Sequence, residues 1–218
     1  MNKKASTLLS YIKKEYGKKI REHYMNNHTT PFEALVSCII SQRTKDEVTE
    51  KASIKLFSKA NNPQAMSRLS KKQIADRIYP AGFYNQKAAR IKELSQILTE
   101  KGGVPHTREG LMKLPAVGPK TADVVLTAAY GQPVIAIDVH VDVIAKRLGL
   151  VPENAGYEKT RATLESQFPK EDRHLINVGL VIHGREICKT RRPLCEKCGL
   201  KTVCDYYKKR EERSKRSD

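Results

Sequence analysis

Cys188, Cys195, Cys198 and Cys204 fall in the pattern C-x6-C-x2-C-x5-C. Four soft thiolates at gaps of two to six residues let one loop wrap a small object without help from elsewhere in the chain, as a cubane iron–sulfur cluster requires. A structural zinc site more often uses two close Cys or Cys/His pairs separated by a longer stretch, whereas this run has a single C-x2-C and no histidine. Two disulfides are the other alternative. Against them, the start of the chain, Met1 to Leu9, lacks an apolar run of signal-peptide length, so a reducing, cytoplasmic setting is expected. The spacing therefore reads as a 4Fe-4S site on the loop 188–204. The fifth cysteine, Cys38, lies in the apolar run from Ala34 to Ile40 and reads as a small buried core residue.

A second stretch with chemical potential is Leu114-Pro115-Ala116-Val117-Gly118-Pro119-Lys120-Thr121-Ala122-Asp123. It reads as a tight turn from a short helix into a longer one, with Ala116 and Gly118 in the turn. Free backbone N–H groups and the dipole at the start of the second helix suit an anion such as phosphate. A turn carrying Gly and Pro between helices is often only a turn, so alone the stretch leaves both readings open.

The elements that must hold these residues are helical. Thr30-Pro31-Phe32-Glu33 combines an N-cap, a proline at the first helical position and a capping-box glutamate. Thr44-Lys45-Asp46-Glu47 and Ser70-Lys71-Lys72-Gln73 repeat the box. A helix from about Gln86, carrying Ala89, Leu94, Ile97 and Leu98, stops at Gly102-Gly103. Further helices are expected from Arg108 to Lys113, from Pro119 to Tyr130 ending at Gly131, and from Val139 to Leu148 ending at Gly149. Two more span roughly 157–168 and 172–183, closed by Pro169 and Gly184. The one β-like run, Val134 to Ile137, is too short between Pro133 and Asp138 and reads as a buried connector.

Forty-one Lys and Arg against 24 Asp and Glu give a formal charge of +17, and the basic residues are spread along all 218 positions. A field of that size favours a polyanion, most often nucleic acid, beyond the magnitude of about 2–8 that solubility asks of a small domain. No stretch approaches the ~18 apolar residues of a spanning helix, so no membrane role is expected. Residues 208–218, almost wholly charged or polar, read as a basic disordered tail.

With Ser41-Gln42-Arg43-Thr44, Gly82-Phe83-Tyr84-Asn85-Gln86-Lys87-Ala88, the turn with Lys120, Ile137-Asp138-Val139-His140-Val141, His183-Gly184-Arg185 and the four cysteines in this order, nearly the whole chain resembles the endonuclease III family of DNA glycosylase/abasic-site lyases. That group belongs to the helix-hairpin-helix superfamily and carries an iron–sulfur loop. The resemblance implies an all-α fold of two helical domains with a helix-hairpin-helix motif, a C-terminal 4Fe-4S cluster loop and an active-site cleft between the domains. A central domain is expected over residues 26–135, and a second domain from 1–25 with 136–207. The implied enzyme is a monomer acting in base excision repair at the nucleoid, on double-stranded DNA containing damaged bases or abasic sites. It removes oxidised pyrimidines after base flipping, because the glycosidic bond is buried in the duplex. A lysine Schiff base then allows β-elimination and a strand nick.

By the same resemblance Lys120 is the nucleophile, and the helix dipole together with partial burial would lower its pKa; taken alone it reads as one of many basic residues and a phosphate contact. Asp138 would stabilise positive charge on the sugar and help activate the amine or a water, and it also suits the N-cap of the next helix. Gln42 would enter the gap left by the extruded base and Phe83 would prop the opposite strand, the plainer readings being an exposed helix end and a core aromatic. His140 matches the pyrimidine-repair branch and otherwise reads as a core side chain. The chain departs from the family's hairpin at Ala116, where glycine is common, which shifts phosphate contact toward Gly118, and at Pro119, where a basic residue is frequent. Lys189, Arg191, Arg192 and Lys197, with Lys201, make the cysteine loop a mount for phosphate-binding side chains. A thymine or uracil mismatch glycosylase, and a non-catalytic DNA-binding protein whose cluster senses redox state, are the competing functions.

Overall fold

In the computed structural model, which describes residues 2–26 and 29–215, the chain forms α1 (Lys3–Asn26), α2 (Pro31–Ser41), α3 (Asp46–Phe57), α4 (Pro63–Arg68), α5 (Lys71–Ile78), α6 (Tyr84–Glu100), α7 (Arg108–Met112), α8 (Pro119–Tyr130), α9 (Val139–Leu148), α10 (Tyr157–Gln167), α11 (Arg173–Glu186) and α12 (Asp205–Ser214). Single 3-10 turns lie at Lys170–Asp172, Cys195–Lys197 and Lys201–Val203, and no strand occurs among the described residues. The protein is all-α.

Two units are separable. One comprises His28–Gln132 and the other Met1–Asn27 with Pro133–Asp218. In the first, α2 is the central element. Its N-terminus is fixed by the expected capping box: the Glu33 N–H donates to Thr30 Oγ1 at 3.2 Å and the Thr30 N–H donates to Glu33 Oε2 at 3.0 Å. From there Phe32, Ala34, Leu35, Val36, Ile39 and Ile40 are buried, and α2 packs on α3, α6 and α8. Each large side chain so buried contributes roughly 1.5–3 kcal/mol. Ser70 and Gln73 form the second capping box as read, and α8 and α9 stop at Gly131 and Gly149. The helix α4, which the sequence reading passed over, starts at an Asn62 cap followed by Pro63, a signal of the same kind.

In the other unit α1 packs along α11, and α9 packs on α10, α11 and α12, around Leu8, Ile12, Ile20, Ile144, Leu148, Leu164, Ile176 and Leu180. The run from Val134 to Ile137 is the buried connector expected, and its backbone is satisfied by side chains. Ile135 N–H donates to Glu165 Oε1 (3.1 Å), Ile137 N–H to the Tyr157 hydroxyl (3.4 Å), and Asn177 Nδ2 donates to Ala136 O (2.7 Å).

Four expectations are corrected. Thr44 does not cap α3, whose N-cap position is Lys45 without a side-chain bond, because the Thr44 hydroxyl is engaged by Gly82 and Lys87. The sixth helix begins at Tyr84, two residues before Gln86, directly after a left-handed Phe83. Gly184 does not end a helix: α11 runs through it to Glu186, and the glycine instead admits a close neighbour. The segment from 208 is no tail as far as Ser214, since α12 continues through it. Lys4–Asp205 (2.6 Å), Lys209–Glu153 (2.7 Å) and the Arg147 guanidinium 4.8 Å above the Tyr206 ring hold that helix; each exposed pair contributes little, but together they fix its first turns. Residues 216–218 lie outside the described residues.

One ionic contact underlies the hairpin. Asp123 on α8 is fully buried and its Oδ1 accepts from Arg108 Nε on α7 at 2.7 Å. Removing the cation leaves a buried carboxylate without its main compensation. Arg108→Ala should therefore cost on the order of 3 kcal/mol, read as a lower midpoint in urea unfolding. Asp123→Asn in the Arg108→Ala background should recover part of the loss.

Candidate functional site

The hairpin between α7 and α8 turns through Ala116, at φ 63°, a left-handed conformation that glycine would adopt with less strain. Gly118 then takes the N-cap position in an extended conformation, Pro119 is the first helical residue and Lys120 the second. No side chain caps the helix, so the first N–H groups of α8 remain available to an anion. Lys120 is exposed, which corrects the partial burial expected of it. Cys38, on α2, is half-buried; burial pushes its thiol up to about 11, while the Lys120 ammonium acts in the opposite direction.

Two further corners belong to the same unit. Arg43, after the end of α2, and Phe83, before α6, are both left-handed, at φ 52° and φ 57°. They are tied by Lys87, a lysine 3% exposed whose ammonium donates to Ile40 O (2.6 Å), Gln42 O (2.5 Å) and Thr44 Oγ1 (2.7 Å). Burial pulls the Lys87 ammonium below the ordinary lysine value. The Gly82 N–H donates to the same Thr44 hydroxyl at 3.1 Å, and a Cβ on Gly82 would stand 2.6 Å from Arg43 O. Only glycine allows the two corners to come this close. Phe83 is 54% exposed, not core, and the Arg43 guanidinium lies 5.6 Å above its ring. The Gln42 amide points elsewhere, donating to Ala116 O at 3.4 Å.

The sequence reading assigned no role to Arg43 or Lys87. For Lys87 a signal existed: with Ile91 and Leu94 it falls on the i, i+4, i+7 face that α6 buries.

On the second unit, Asp138 is the N-cap of α9, and its Oδ1 accepts from the Val141 N–H at 2.8 Å. The connector described above leads directly into it. Two residues on, His140 packs against Gly184, where a Cβ would stand 2.4 Å from His140 Nδ1. That Nδ1 is buried and has no hydrogen-bond partner among the described residues.

Cys188, Cys195, Cys198 and Cys204 are free thiols lining one pocket with Arg147, Ile187, Pro193, Leu194 and Tyr206. The disulfide alternative is thereby set aside. Arg147 fastens the loop: Nη1 donates to Cys188 Sγ (3.3 Å) and Lys189 O (2.9 Å), Nη2 donates to Thr190 O (2.7 Å), and the Cys204 thiol donates to Arg147 O (3.4 Å). Behind the loop, burial pushes His183 down to about 4, so it is neutral; its Nε2 lies 3.6 Å from Cys198 Sγ and its Nδ1 is 3.0 Å from the Tyr16 hydroxyl. Burial first, then mutual repulsion, raises the Cys188 and Cys198 thiols, Cys198 to about 11. A cationic centre is what would bring such thiols together as thiolates. Among the described residues no group of three or more His, Cys, Asp or Glu is arranged to hold a metal ion. Lys189, Arg191, Arg192 and Lys197 are all exposed, and none has an ion-pair partner among the described residues; Lys201 is half-buried.

Residues 36–170 match the family model described as HhH-GPD superfamily base excision DNA repair protein. Endonuclease III of Thermotoga maritima is 44% identical over 200 residues, 90% of this chain and 93% of that protein. Among solved structures, a trapped endonuclease III–DNA covalent intermediate, an estranged-adenine complex, superposes with a TM-score of 0.84 at 31% identity, covering 97% of this chain and all of that one. A thermostable thymine-DNA glycosylase gives a TM-score of 0.82 at 28% identity, covering 94% and 95% of the two chains.

The packing of His140 on Gly184 can be tested by a double-mutant cycle. Gly184→Ala overpacks the contact and should cost about 1–3 kcal/mol in thermal or urea unfolding. In a His140→Ala background the same substitution should cost much less, since the ring it would strike is gone. Equal costs in both backgrounds would contradict the contact.

Proposed function

Since the chain belongs to the HhH-GPD superfamily of base excision DNA repair proteins and to the endonuclease III family, we propose that Lys120 and Asp138 carry its reaction and that oxidised pyrimidines are its substrates. The protein is a base-excision DNA glycosylase with associated abasic-site lyase activity. The observation that carries the assignment of roles is the exposed Lys120 at the second position of α8, beside free helix N–H groups and one turn past a left-handed hairpin corner.

The hairpin N–H groups, with Ala116 and Gly118 in the turn, hold a backbone phosphate near the lysine. A lesion that stacks or pairs poorly is the cheaper one to extrude from the duplex. Lys120 Nζ, having lost a proton, attacks the sugar C1′ as the bond to the base breaks and the base leaves with the bonding pair. The attacking nitrogen, now cationic with two protons, gives one up, the C1′–O4′ bond opens as O4′ takes a proton, leaving an N-protonated iminium, and loss of the C2′ proton then expels the 3′ phosphate by β-elimination. Asp138 is the carboxylate for the positive charge that develops on the sugar and for the proton the amine gives up. Its bond from the Val141 N–H aims it without using the whole group. Phe83 supplies the apolar wedge that offsets part of the lost stacking, and His140, set in place by Gly184, contacts the substrate strand.

The thiols of Cys188, Cys195, Cys198 and Cys204 fit a 4Fe-4S cluster in donor type, in lining one pocket and in lacking disulfides. Such a cluster would supply a rigid anchor for the loop, leaving Lys189, Arg191, Arg192 and Lys197 to contact phosphates. The mismatch-glycosylase and redox-sensor alternatives are not favoured, because the curated relatives matched are endonuclease III. Among the described residues no helix is long and apolar enough to cross a membrane. A monomer acting at the nucleoid fits this reading.

Incubated with a duplex bearing thymine glycol, the protein should release the base, nick the strand and be trapped on it by borohydride. Lys120→Ala should abolish trapping, and robust trapping of that variant would refute the nucleophile. Asp138→Asn should slow turnover by a hundredfold or more, about the scale of a lost general base, with DNA affinity retained. Arg191→Ala with Arg192→Ala should reduce the slope of log affinity against log salt by about 2. An unchanged slope would show that those side chains do not touch phosphate.

A further inference from the structure

We propose that the N-terminal helix is part of the cysteine-loop site: His183 donates an N–H bond to the Cys198 sulfur, and Tyr16 of α1 holds the imidazole in the tautomer that can do so. The inference rests on the reading of the four thiols as a 4Fe-4S site. A cysteine that ligates iron has lost its proton, so its sulfur can only accept hydrogen bonds. The proton in its contact with a neighbouring histidine must then sit on the ring.

The geometry fixes which ring nitrogen carries it. His183 Nε2 lies 3.6 Å from Cys198 Sγ, and Nδ1 lies 3.0 Å from the Tyr16 hydroxyl. With the proton on Nε2, a neutral ring offers Nδ1 as an acceptor, and the Tyr16 hydroxyl donates to it. Burial above all holds that hydroxyl protonated, raising it over the ordinary tyrosine value. His183 is 1% and Tyr16 4% exposed, so water has little part in either bond. Tyr11, also on α1, closes the arrangement: its ring meets those of Tyr16 and His183 edge-on, at centroid distances of 5.9 and 5.4 Å. It also lies against Gly199, the residue after Cys198, where a Cβ would stand 2.5 Å from Tyr11 Cε2. Packed between α1 and the loop, the imidazole is held in one orientation.

Two cysteine sulfurs are thus met by side-chain donors, Cys188 by Arg147 Nη1 at 3.3 Å and Cys198 by His183. Cys198 also receives the Leu200 N–H, so the histidine adds to a backbone bond. Hydrogen bonds to the sulfurs are among the levers that set the potential of an iron–sulfur centre. An N–H bond strengthens as negative charge on sulfur rises, so it favours the reduced form and opposes oxidation. His183 is a positioning residue that protects the centre from oxidative loss, and Tyr16 acts through it.

The test uses cluster-loaded, full-length protein without DNA. The potential for one-electron oxidation is read by voltammetry, and cluster loss under ferricyanide from the visible absorbance. His183→Phe keeps a ring without a donor and should bleach faster, with the potential moved negatively by roughly tenfold in the oxidation equilibrium, about 59 mV. His183→Gln restores an N–H donor and should recover part of that shift; a shift as large as that of His183→Phe would mean ring packing and count against the bond. Tyr16→Phe should move the potential the same way, by less. Exchange into D2O should shift the Fe–S stretching frequencies in resonance Raman, and less so in either phenylalanine variant. An unchanged potential in His183→Phe overturns the N–H bond, and an unchanged one in Tyr16→Phe overturns the part given to α1. Where His183→Phe holds no cluster, Tyr16→Phe decides: potential and D2O shift both equal to those of the unaltered protein overturn the proposal. If the unaltered protein takes up no iron and sulfide, the cluster reading fails, and this inference with it.

Discussion

A single buried ammonium organises the exposed corner that Arg43 and Phe83 form on the first unit. The last carbonyls of α2 have no partners within the helix, and the chain must turn sharply there through a left-handed Arg43. Lys87 answers both needs from a different helix, giving Ile40 O and Gln42 O their donor and securing Thr44 in the same stroke. Because Thr44 in turn holds Gly82, the entry to α6 and the exit from α2 cannot move independently. A buried cation is costly unless its donors are met, and this one has three oxygen acceptors. Hydrophobic burial of α2 sets where the helix lies; the lysine sets how it ends.

The second unit solves a related problem without a charge. The chain enters it along the connector 134–137, whose backbone is met by Glu165, Tyr157 and Asn177 rather than by helix or sheet. Asp138 follows immediately as a helix cap, so its carboxylate is aimed by two constraints, an anchored approach and a bond from Val141. The cysteine loop is fixed in a third way, by one arginine reaching four of its groups. Irregular backbone carries the Arg43 and Phe83 corners, the approach to Asp138 and the start of the cysteine loop, and each of these is held by a long side chain from a helix.

What could be read in the sequence was what depends on near neighbours. The capping boxes at Thr30 and Ser70, the glycine stops at 131 and 149, the hairpin ahead of Lys120 and the spacing of the cysteines are all local patterns, and the helices they imply are present. Thr44 carried the same capping signal as Ser70, yet its hydroxyl serves residues some 40 positions away, which no local pattern records. Gly184 read as a stop because its true neighbour, His140, lies on another helix. The charged C-terminal segment read as tail because its partners, Glu153 and Lys4, are remote in sequence. Gln42 and Arg43 are adjacent, and only the left-handed turn between α2 and α3 decides which of the two side chains faces outward.

The connector 134–137 has one more consequence, which concerns how this chain can change. Surface loops ordinarily absorb insertions and substitutions at little cost, because their backbone is solvated. This stretch has no helix or strand, but its amides and carbonyls are spoken for by side chains from α10 and α11. A proline at 135 or 137 would delete a donor, and a single inserted residue would rotate Ile135 and Ile137 out of the core and carry Asp138 with them. A segment that looks like a permissive loop is thus among the least mutable parts of the protein, and variation in length should collect in other connections.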